Sequence, residues 1–292
     1  STANRIEVVR GPATLRYGSQ AIGGVVVVEN NRIPMFVPPR GITGEIKGGW
    51  NSVDNGRDGS FEVTAGSGPF VLHADAFKRR TFDYQTPLGR QFNSFVDSEG
   101  FSVGGSIVWS SGFAGLSFSR FDSLYGIPGL EAAEARPRID LTQDKIQSKG
   151  EWRVRDFGIE AIRYWFGSTS YAHNEVVFDQ AIPGDIVGTR FTNRQQEVRV
   201  EVQHLPLMTT FGELRGAAGV HFDRKRIAGF GVDEPVDGLL DPAARQRAMA
   251  GFLFEELQIT QALRLQAAAR FEVNTAEGTG IVDPVTPSAP TR

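Results

Sequence analysis

Hydrophobic and polar residues alternate strictly along much of the chain. The clearest run is residues 263–274, where Leu, Leu, Ala, Ala, Phe and Val occupy one face and Arg, Gln, Ala, Arg, Glu and Asn the other. A period of two places successive side chains on opposite faces of a β-strand. The pattern therefore predicts a strand with one apolar and one polar face.

The same alternation predicts ten further strands. Residues 197–203 and 213–223 are nearly as regular as the first run. Weaker versions occupy residues 41–51, 58–66, 69–80, 100–110, 112–122, 142–154, 157–170 and 247–259. Eleven such strands predict an all-β fold.

The connections between the predicted strands alternate in length. Tight turns are predicted at residues 66–69, 110–112, 155–156, 205–207 and 260–262, and long loops at 81–99, 124–141, 171–190 and 224–246. Short turns at one end and long loops at the other are typical of bacterial outer-membrane barrels, whereas a soluble β-sandwich has no reason for this regularity. We therefore expect an antiparallel transmembrane β-barrel.

The number of strands indicates a partial barrel. Bacterial single-chain barrels have an even number of strands, and plugged outer-membrane transporters have about 22. Eleven predicted strands are half of that number, and the chain starts at Ser1 without a leader sequence. We expect the N-terminal half of a larger barrel over residues 39–292, truncated by the ends of this chain.

Residues 5–28 follow a different pattern. A short strand leads into a Gly-Pro turn, and a helix-compatible stretch then leads to a Gly-Gly pair and a second β-branched strand. This segment closely resembles the last part of the plug domain of TonB-dependent receptors. The matching residues are Glu7, Arg10, Gly11, Pro12, Tyr17, Gly18, Ala21, Gly23 and Gly24, whereas Val27 stands where the family usually has asparagine.

The resemblance has several implications. Residues 1–38 would be the C-terminal end of a mixed α/β plug domain. Glu7 and Arg10 would belong to a region that pairs with charged residues of the barrel wall and holds the plug until energy is supplied. TonB, with its inner-membrane energising complex, would act on a segment that precedes Ser1. The implied function is proton-motive-force-driven import of a scarce nutrient, such as a siderophore–iron complex or another metal chelate, across a Gram-negative outer membrane.

Composition argues against several other classes of protein. A net charge of -3, from 31 basic and 34 acidic residues, provides no basic surface for nucleic acid. The absence of cysteine excludes disulfides and thiolate metal sites. The sequence contains no run of 18 apolar residues, so it predicts no membrane-spanning helix.

The histidines form no recognisable catalytic or metal-binding motif. His73 and Asp75 share the polar face of one predicted strand, and His221 and Asp223 share that of another. Neither pair is accompanied by a Gly-x-Ser-x-Gly or His-Glu-x-x-His motif. We interpret them as polar residues of the barrel interior, and we expect no enzymatic activity, cofactor or metal site.

Aromatic and charged residues of the predicted loops are the candidates for contact with a nutrient. Aromatic rings offer stacking faces to chelates or sugars, and arginine suits an anionic siderophore. These candidates are Phe82, Tyr84, Tyr125, Tyr171, His173 and Arg190. The Tyr-Gly-Ile-Pro sequence at 125–128 also resembles receptors of the zinc-uptake branch, but the histidines of that branch are missing from residues 130–136.

Two other functions stay open at this point. A passive porin or structural barrel would have no plug, and residues 1–30 resemble one. A soluble β-rich domain would pack its apolar faces against each other.

Overall fold

The chain forms a small two-stranded sheet followed by one broad antiparallel sheet. The computed structural model describes residues 5–19, 21, 23–129, 135–178, 185–231 and 244–278. A 3₁₀ helix spans Gly11–Arg16. The strands are β1 (Arg5–Val9), β2 (Val25–Glu29), β3 (Ile42–Asn51), β4 (Gly56–Ser67), β5 (Phe70–Thr81), β6 (Gln85–Thr86), β7 (Gly89–Arg90), β8 (Val96–Trp109), β9 (Gly112–Gly126), β10 (Arg138–Trp152), β11 (Ile159–Phe178), β12 (Asp185–His204), β13 (Leu207–Thr209), β14 (Gly212–Gly231), β15 (Ala244–Gln258) and β16 (Arg264–Glu277). In the described ranges, no helix has the length and hydropathy that a membrane crossing requires.

The small sheet pairs β1 with β2 in antiparallel register. Between them, Pro12 lies in the first turn of the 3₁₀ helix. Proline is tolerated there because the N–H groups of the first turn form no hydrogen bonds within the helix. Gly24 has a φ of 138°, and a side chain there would approach the Val9 carbonyl oxygen. The predicted strand, turn, helix-compatible stretch and second strand are all present.

The broad sheet contains eleven long strands that follow one another in chain order. Its order is β16-β15-β14-β12-β11-β10-β9-β8-β5-β4-β3, and the short β13 pairs with the start of β14. Among the described residues, β3 and β16 each have one neighbour, so the sheet does not close. The architecture is a partial antiparallel β-barrel, and the predicted eleven strands are confirmed.

The connections of the broad sheet lie alternately at its two rims. Residues 68–69, 110–111, 153–158, 205–211 and 259–263 join strands at one end, which we call the short-turn rim. Residues 52–55, 82–95, 127–137, 179–184 and 232–243 join them at the other end, the loop rim. Successive antiparallel strands require this alternation. The predicted alternation of the connections between two rims is confirmed, but their lengths separate less cleanly than predicted, because 52–55 and 179–184 are short connections on the loop rim.

The two faces of the broad sheet differ in polarity. The inner face, which contacts the small sheet, buries polar side chains such as Glu201, Asp75 and Ser102. The outer face exposes large apolar side chains such as Val220 and Phe271, which form an apolar belt around the sheet. A water-soluble protein has the reverse arrangement. The alternation predicted for residues 263–274 is confirmed, with the apolar side chains outward and exposed.

Three strands extend further toward the loop rim than the sequence predicts. β11, β12 and β14 are each 20 residues long, so 14 of the 20 residues of the predicted loop 171–190 and 11 of the 23 residues of the predicted loop 224–246 are strand. Above the apolar belt, both faces of these strands carry polar residues. The alternation therefore fades there, while the backbone ladder continues.

Candidate functional site

A fully buried carboxylate, Glu201, joins the small sheet to the inner face. It lies on β12, opposite Arg163 of β11 and Gly219 of β14. Arg16, the last residue of the 3₁₀ helix, donates from Nε to Oε2 at 3.1 Å and from Nη2 to Oε1 at 2.5 Å. Arg199 Nη2 donates to Oε2 at 2.9 Å, and Arg163 Nη1 lies 3.6 Å from Oε1. One carboxylate thus binds three arginines, in an arrangement that we call the Glu201 clamp.

Aromatic rings surround one of the three arginines of the clamp, Arg199. The Arg199 guanidinium lies 4.4 Å from the Trp165 ring centroid, 5.1 Å from that of Tyr17 and 5.4 Å from that of Phe252. The ring quadrupoles attract a cation at these distances. Tyr17 is one of the residues that carry the resemblance to a plug domain, and it contacts the inner face of the broad sheet, which we also call the wall, through Arg199.

A second set of contacts, the Asp75 anchor, holds residues 31–32 against the inner face. Arg32 donates to Asp75 from Nε at 3.3 Å and from Nη2 at 3.5 Å. Ser102 also donates to this carboxylate, and His73 Nε2 lies 3.3 Å from it. The Asp75 side chain is 1% exposed, so these partners replace its hydration.

The hydrogen bonds of the Asp75 anchor continue from β5 to β4 and from there to residue 31. Asn31 Nδ2 donates to Thr64 Oγ1 at 3.1 Å, and Thr64 Oγ1 lies 2.8 Å from His73 Nδ1. In the tautomer that carries its proton on Nε2, His73 accepts from Thr64 and donates to Asp75. Every polar group in this buried row then has a partner.

Glycines of the wall allow the backbone that follows the small sheet to approach closely. A Cβ atom at Gly104 would overlap the carbonyl oxygen of Arg32, and one at Gly115 would lie 2.5 Å from Ile33 Cγ2. Ile33 is 4% exposed in this position. Residues 32–33 therefore fit a groove that larger wall residues would fill.

The ion pairs between the small sheet and the described part of the broad sheet involve residues other than Glu7 and Arg10, whose pairing with a barrel wall stays a prediction. Glu7 pairs with Arg5 of the same strand, and Arg10 is the residue that precedes the 3₁₀ helix. Within the described part of the chain, the ion pairs between residues 5–37 and the wall come from Arg16 and Arg32. Arg16 stands directly before Tyr17 in the resembling segment, which is the sequence signal that could have identified it.

Polar residues of the inner face also bind one another. His221 accepts at Nδ1 from Arg270 at 3.1 Å, and its Nε2 lies 3.0 Å from Glu197 Oε1. Ser19 donates to Glu272 at 3.0 Å and adds a third contact with the wall. The interpretation of the histidine–aspartate pairs as interior polar residues is confirmed for these strands. In the part of the chain that the structure describes, no group of three or more His, Cys, Asp or Glu side chains could hold a metal ion.

Four of the six candidate contact residues lie in strands, not in loops as predicted. Phe82 and Tyr84 belong to the loop-rim connection 82–95. Tyr125 lies in β9, Tyr171 and His173 lie in β11, and Arg190 lies in β12. For Tyr171, His173 and Arg190 the error comes from the strand extensions described above, and for Tyr125 it arises because β9 continues to Gly126.

Three of these residues share the inner face near the loop rim. The His173 ring lies 5.4 Å from that of Tyr171 and 5.0 Å from that of Phe191. Phe191 was not among the predicted contact residues, because it lies just beyond the predicted loop 171–190 from which they were chosen. Tyr125 pairs with Ile139 and faces the same side. We call these four residues the aromatic wall.

Arg190 does not belong to the aromatic wall. It pairs with Asn174, whereas His173 pairs with Phe191, so Arg190 points to the outer face. Two polar atoms near the aromatic wall, His173 Nδ1 and Asn193 Oδ1, are buried without a hydrogen-bond partner in the described residues. Such atoms favour a bound water or ligand group.

Open space remains between the small sheet and the inner face. A cavity of about 370 Å³ is lined by Val28 and Glu29 of β2 and by Lys145, Lys149 and Trp165 of the wall. A second cavity of about 680 Å³ extends from Val28 and Asn30 toward β4, β5 and β8. The small sheet is thus attached at discrete points and does not fill the interior.

Solved structures similar to this chain include siderophore and copper receptors. The open form of the ferric-catecholate import receptor Fiu from E. coli K12 matches with a TM-score of 0.71 at 16% identity, over 99% of this chain and 54% of Fiu. The copper transporter OprC matches at 0.72 and 14% identity, over 95% of this chain and 42% of OprC. The siderophore receptor PirA from Acinetobacter baumannii matches at 0.71 and 12% identity, over 96% of this chain and 46% of PirA. No family model matches the chain.

These matches define the fold. The chain has the fold of TonB-dependent siderophore and copper receptors, as the residues of the small sheet indicated. It spans about half the length of the proteins that it matches.

Proposed function

We propose that the chain is part of a TonB-dependent receptor that imports a siderophore–iron complex or another metal chelate. In this proposal residues 1–38 are the end of the plug and residues 39–292 are the first half of the barrel. The supporting observation is the attachment of the small sheet to the inner face through the Glu201 clamp and the Asp75 anchor. A plug held in this way obstructs passive flow, so transport requires energy to displace it. This favours active import over a passive porin.

The apolar belt supports a location in the outer membrane. On β14 its outward residues run from Leu214 to Phe222, eight steps along the strand and about 26 Å at about 3.3 Å per residue. Barrel strands tilt by about 40°, so the belt is about 20 Å high, close to the apolar band of about 25 Å in outer-membrane barrels. The loop rim would then face the outside of a Gram-negative cell.

The order of the attachments suggests how TonB could act. TonB would pull from the periplasm on a segment N-terminal to residue 1. The pull would reach Arg16 of the clamp before Arg32 of the anchor, because Arg16 comes first in the chain. The clamp is therefore the contact that must open first for the plug to rearrange.

The aromatic wall is the proposed contact for the nutrient. It lies between the loop rim and the small sheet, on the path of a ligand that enters from outside. Tyr171, His173 and Phe191 offer ring faces and edges, and His173 Nδ1 offers a hydrogen-bonding atom without a described partner. Phe82 and Tyr84, which are 47% and 39% exposed at the loop rim, would meet the ligand earlier.

Growth of a receptor-deficient strain tests the proposal. The complete receptor should restore growth on a limiting metal chelate only in cells that contain TonB. The His173→Ala variant should take up less ligand while reaching the membrane in normal amount, whereas Asn174→Ala, on the opposite face of the same strand, should behave like the wild type. Growth without TonB would contradict active import, and equal uptake by both variants would contradict the assigned site.

A further inference from the structure

An acidic side chain lies next to the aromatic wall, on the side of the loop rim. Glu175 follows His173 by two residues on β11, so both side chains point to the inner face. The register places Ile139 opposite both Tyr125 and Glu175, so the carboxylate lies in the same row as Tyr125. Glu175 is exposed at this position. We call Glu175 together with the aromatic wall the Glu175 site.

The rings of the Glu175 site suit a positively charged group. The His173 ring stacks on that of Phe191 with an angle of 27° between the planes, and it meets the Tyr171 ring at 68°. Aromatic faces attract a cation that lies within about 6 Å of the ring centroid. A carboxylate beside such rings attracts a cation and repels an anion. Glu175 and the rings therefore favour the same charge in a ligand.

The arginines of the upper strands do not contact the Glu175 site. Arg190 points to the outer face, as described above, and Arg194 lies four residues further on the same strand, on the same face. Arg226 stands opposite Arg194 on β14 and shares this face. Arg138 of β10 forms an ion pair with Asp185. The residue type expected to bind an anionic siderophore is therefore turned away from the site or already paired.

The inward lysines of these strands lie lower. Lys145 and Lys225 belong to a row that crosses β11 at residue 169, six residues and about 20 Å from Glu175. Lys225 lies 3.9 Å from Asp223. Above this row, the described inward residues of β9 to β14 include no lysine or arginine. Within the described part of these strands, Glu175 thus has no neighbouring inward cation that neutralises it.

The connections next to the Glu175 site carry excess negative charge. Residues 127–137, 179–184 and 232–243 join the strands around it, and together they contain seven acidic residues and one basic residue. Residues 52–55 and 82–95, at the other part of the loop rim, contain two acidic residues and one basic residue. Charge of one sign around an entrance attracts ligands of the opposite sign before they make contact. The sequence of this rim therefore favours a cationic ligand.

We propose that the chelate bound at the Glu175 site carries a protonated amine, which contacts the Glu175 carboxylate and the faces of the neighbouring rings. The inference rests on the proposed function and names the class of ligand within it. The amine places its positive charge at Glu175, and the apolar parts of the chelate pack on the rings. An anionic chelate would bring like charge to Glu175.

The Glu175 site suits an amine better than a free metal ion. Both carry positive charge, but a metal ion needs several ligating atoms, whereas an ammonium group binds a single carboxylate and ring faces. Among the residues that the structure describes, no group of three or more His, Cys, Asp or Glu side chains could hold a metal ion. The positive charge is therefore assigned to the organic part of the chelate.

Binding of two matched chelates to the complete receptor in non-ionic detergent tests the proposal. Both probes are linear iron(III) trihydroxamates. One has a free terminal amine, which is protonated at neutral pH as a lysine side chain is, and in the other this amine is acetylated and uncharged. Isothermal titration calorimetry measures both affinities. The wild type should bind the amine form about tenfold more tightly, from one ion pair and one cation–π contact. Zinc ion alone should not displace it.

Three variants separate the effect of charge from that of packing. Glu175→Gln should bind the amine form about fivefold more weakly and the acetylated form as the wild type does. Phe191→Leu keeps an apolar side chain without a ring face and should weaken binding of the amine form about threefold relative to the acetylated form. The matched control is Asp140→Asn, at an exposed carboxylate on the outer face of β10 that stands opposite Asn174, the residue before Glu175. It should keep the wild-type preference.

Equal affinity of the wild type for the two chelates, binding of neither, or an unchanged preference in Glu175→Gln would overturn the proposal. Displacement of the amine form by zinc ion alone would assign the charge to the metal and would overturn it as well. Uptake by cells tests the proposed function separately. If the acetylated chelate entered as fast as the amine form and only with TonB, import would stand and the proposal would be wrong. Uptake of either chelate without TonB would contradict active import, whatever the affinities in detergent.

Discussion

Replacing Glu201 with glutamine should loosen the contact between the 3₁₀ helix and the wall. Glutamine keeps the shape of the side chain but carries no charge, and it has one acceptor oxygen where the carboxylate has two. Arg16 would lose one of its two charge-assisted hydrogen bonds, at Nε or Nη2. Arg199 would stay in place, because three aromatic rings surround its guanidinium.

The size of the effect follows from the burial of the pair. A hydrogen bond to a charged group stabilises a protein by about 1.5–3 kcal/mol. The Glu201 side chain is 0% exposed and that of Arg16 is 25% exposed, so solvent screens part of the attraction. We expect the detached state to become more favourable by about 2 kcal/mol, which is about thirtyfold in its population.

Amide hydrogen exchange in the complete receptor measures this opening. The Tyr17 amide donates to the Thr14 carbonyl oxygen at 2.9 Å and is a reporter within the helical segment. Its exchange should accelerate about thirtyfold in Glu201→Gln, because exchange from a locally open state follows the population of that state. Amides of the apolar belt should exchange at the wild-type rate.

A matched control lies on the same strand and the same face. Glu197 binds His221 of the wall and has no hydrogen bond to the small sheet in the described residues. The Glu197→Gln variant should leave the exchange of residues 11–17 unchanged. If the two variants affected these amides equally, or if neither did, the clamp would not hold the small sheet.

Strand phase, docking and rim orientation lead to three more predictions. Ala269→Arg, opposite the exposed Leu253, should lower the amount of receptor in the outer-membrane fraction, since a cation in the apolar belt costs about 2–4 kcal/mol; Gln266→Arg on the inner face should not, and equal amounts would contradict the assigned faces. Gly104→Ala should lower the midpoint of thermal unfolding because its methyl group would overlap the Arg32 carbonyl, whereas Gly167→Ala meets no atom within 4 Å and should not; equal midpoints would argue against the groove. Leu88→Cys, at a side chain that is 100% exposed, should react with an impermeant maleimide added to intact cells. If this cysteine did not react, the loop rim would not face the outside of the cell.

The sequence could predict which residues of each strand face outward, because the apolar belt requires an apolar residue at every second position. In residues 263–273, every second side chain is apolar, and these side chains are the exposed ones in the structure. The upper ends of the strands carry no such signal. Arg224, Lys225 and Arg226 follow one another on β14 although they alternate between faces, because both faces are polar at that level. For the same reason, Tyr171 and His173 were assigned to a loop.

The clamp could be predicted only in part. The plug resemblance places Arg16 next to Tyr17, and the alternation places both Glu197 and Glu201 on the inner face. The choice between these carboxylates depends on the position of the small sheet in three dimensions. Arg16 and Glu201 are 185 residues apart in the chain, so no local pattern relates them.

The length of β12 gives its two ends different mechanical properties. Phe191 of the aromatic wall and Glu201 of the clamp lie on this strand, ten residues and about 33 Å apart. The end near Glu201 lies between the belt and the small sheet, whereas the end near Phe191 is polar on its outer side and depends mainly on its backbone ladder. Segments with few apolar contacts open locally at lower free energy. The end near Phe191 can therefore change its shape more easily than the end near Glu201, and in the proposed function this lets the strand adapt to a bulky chelate while its contact with the small sheet stays rigid.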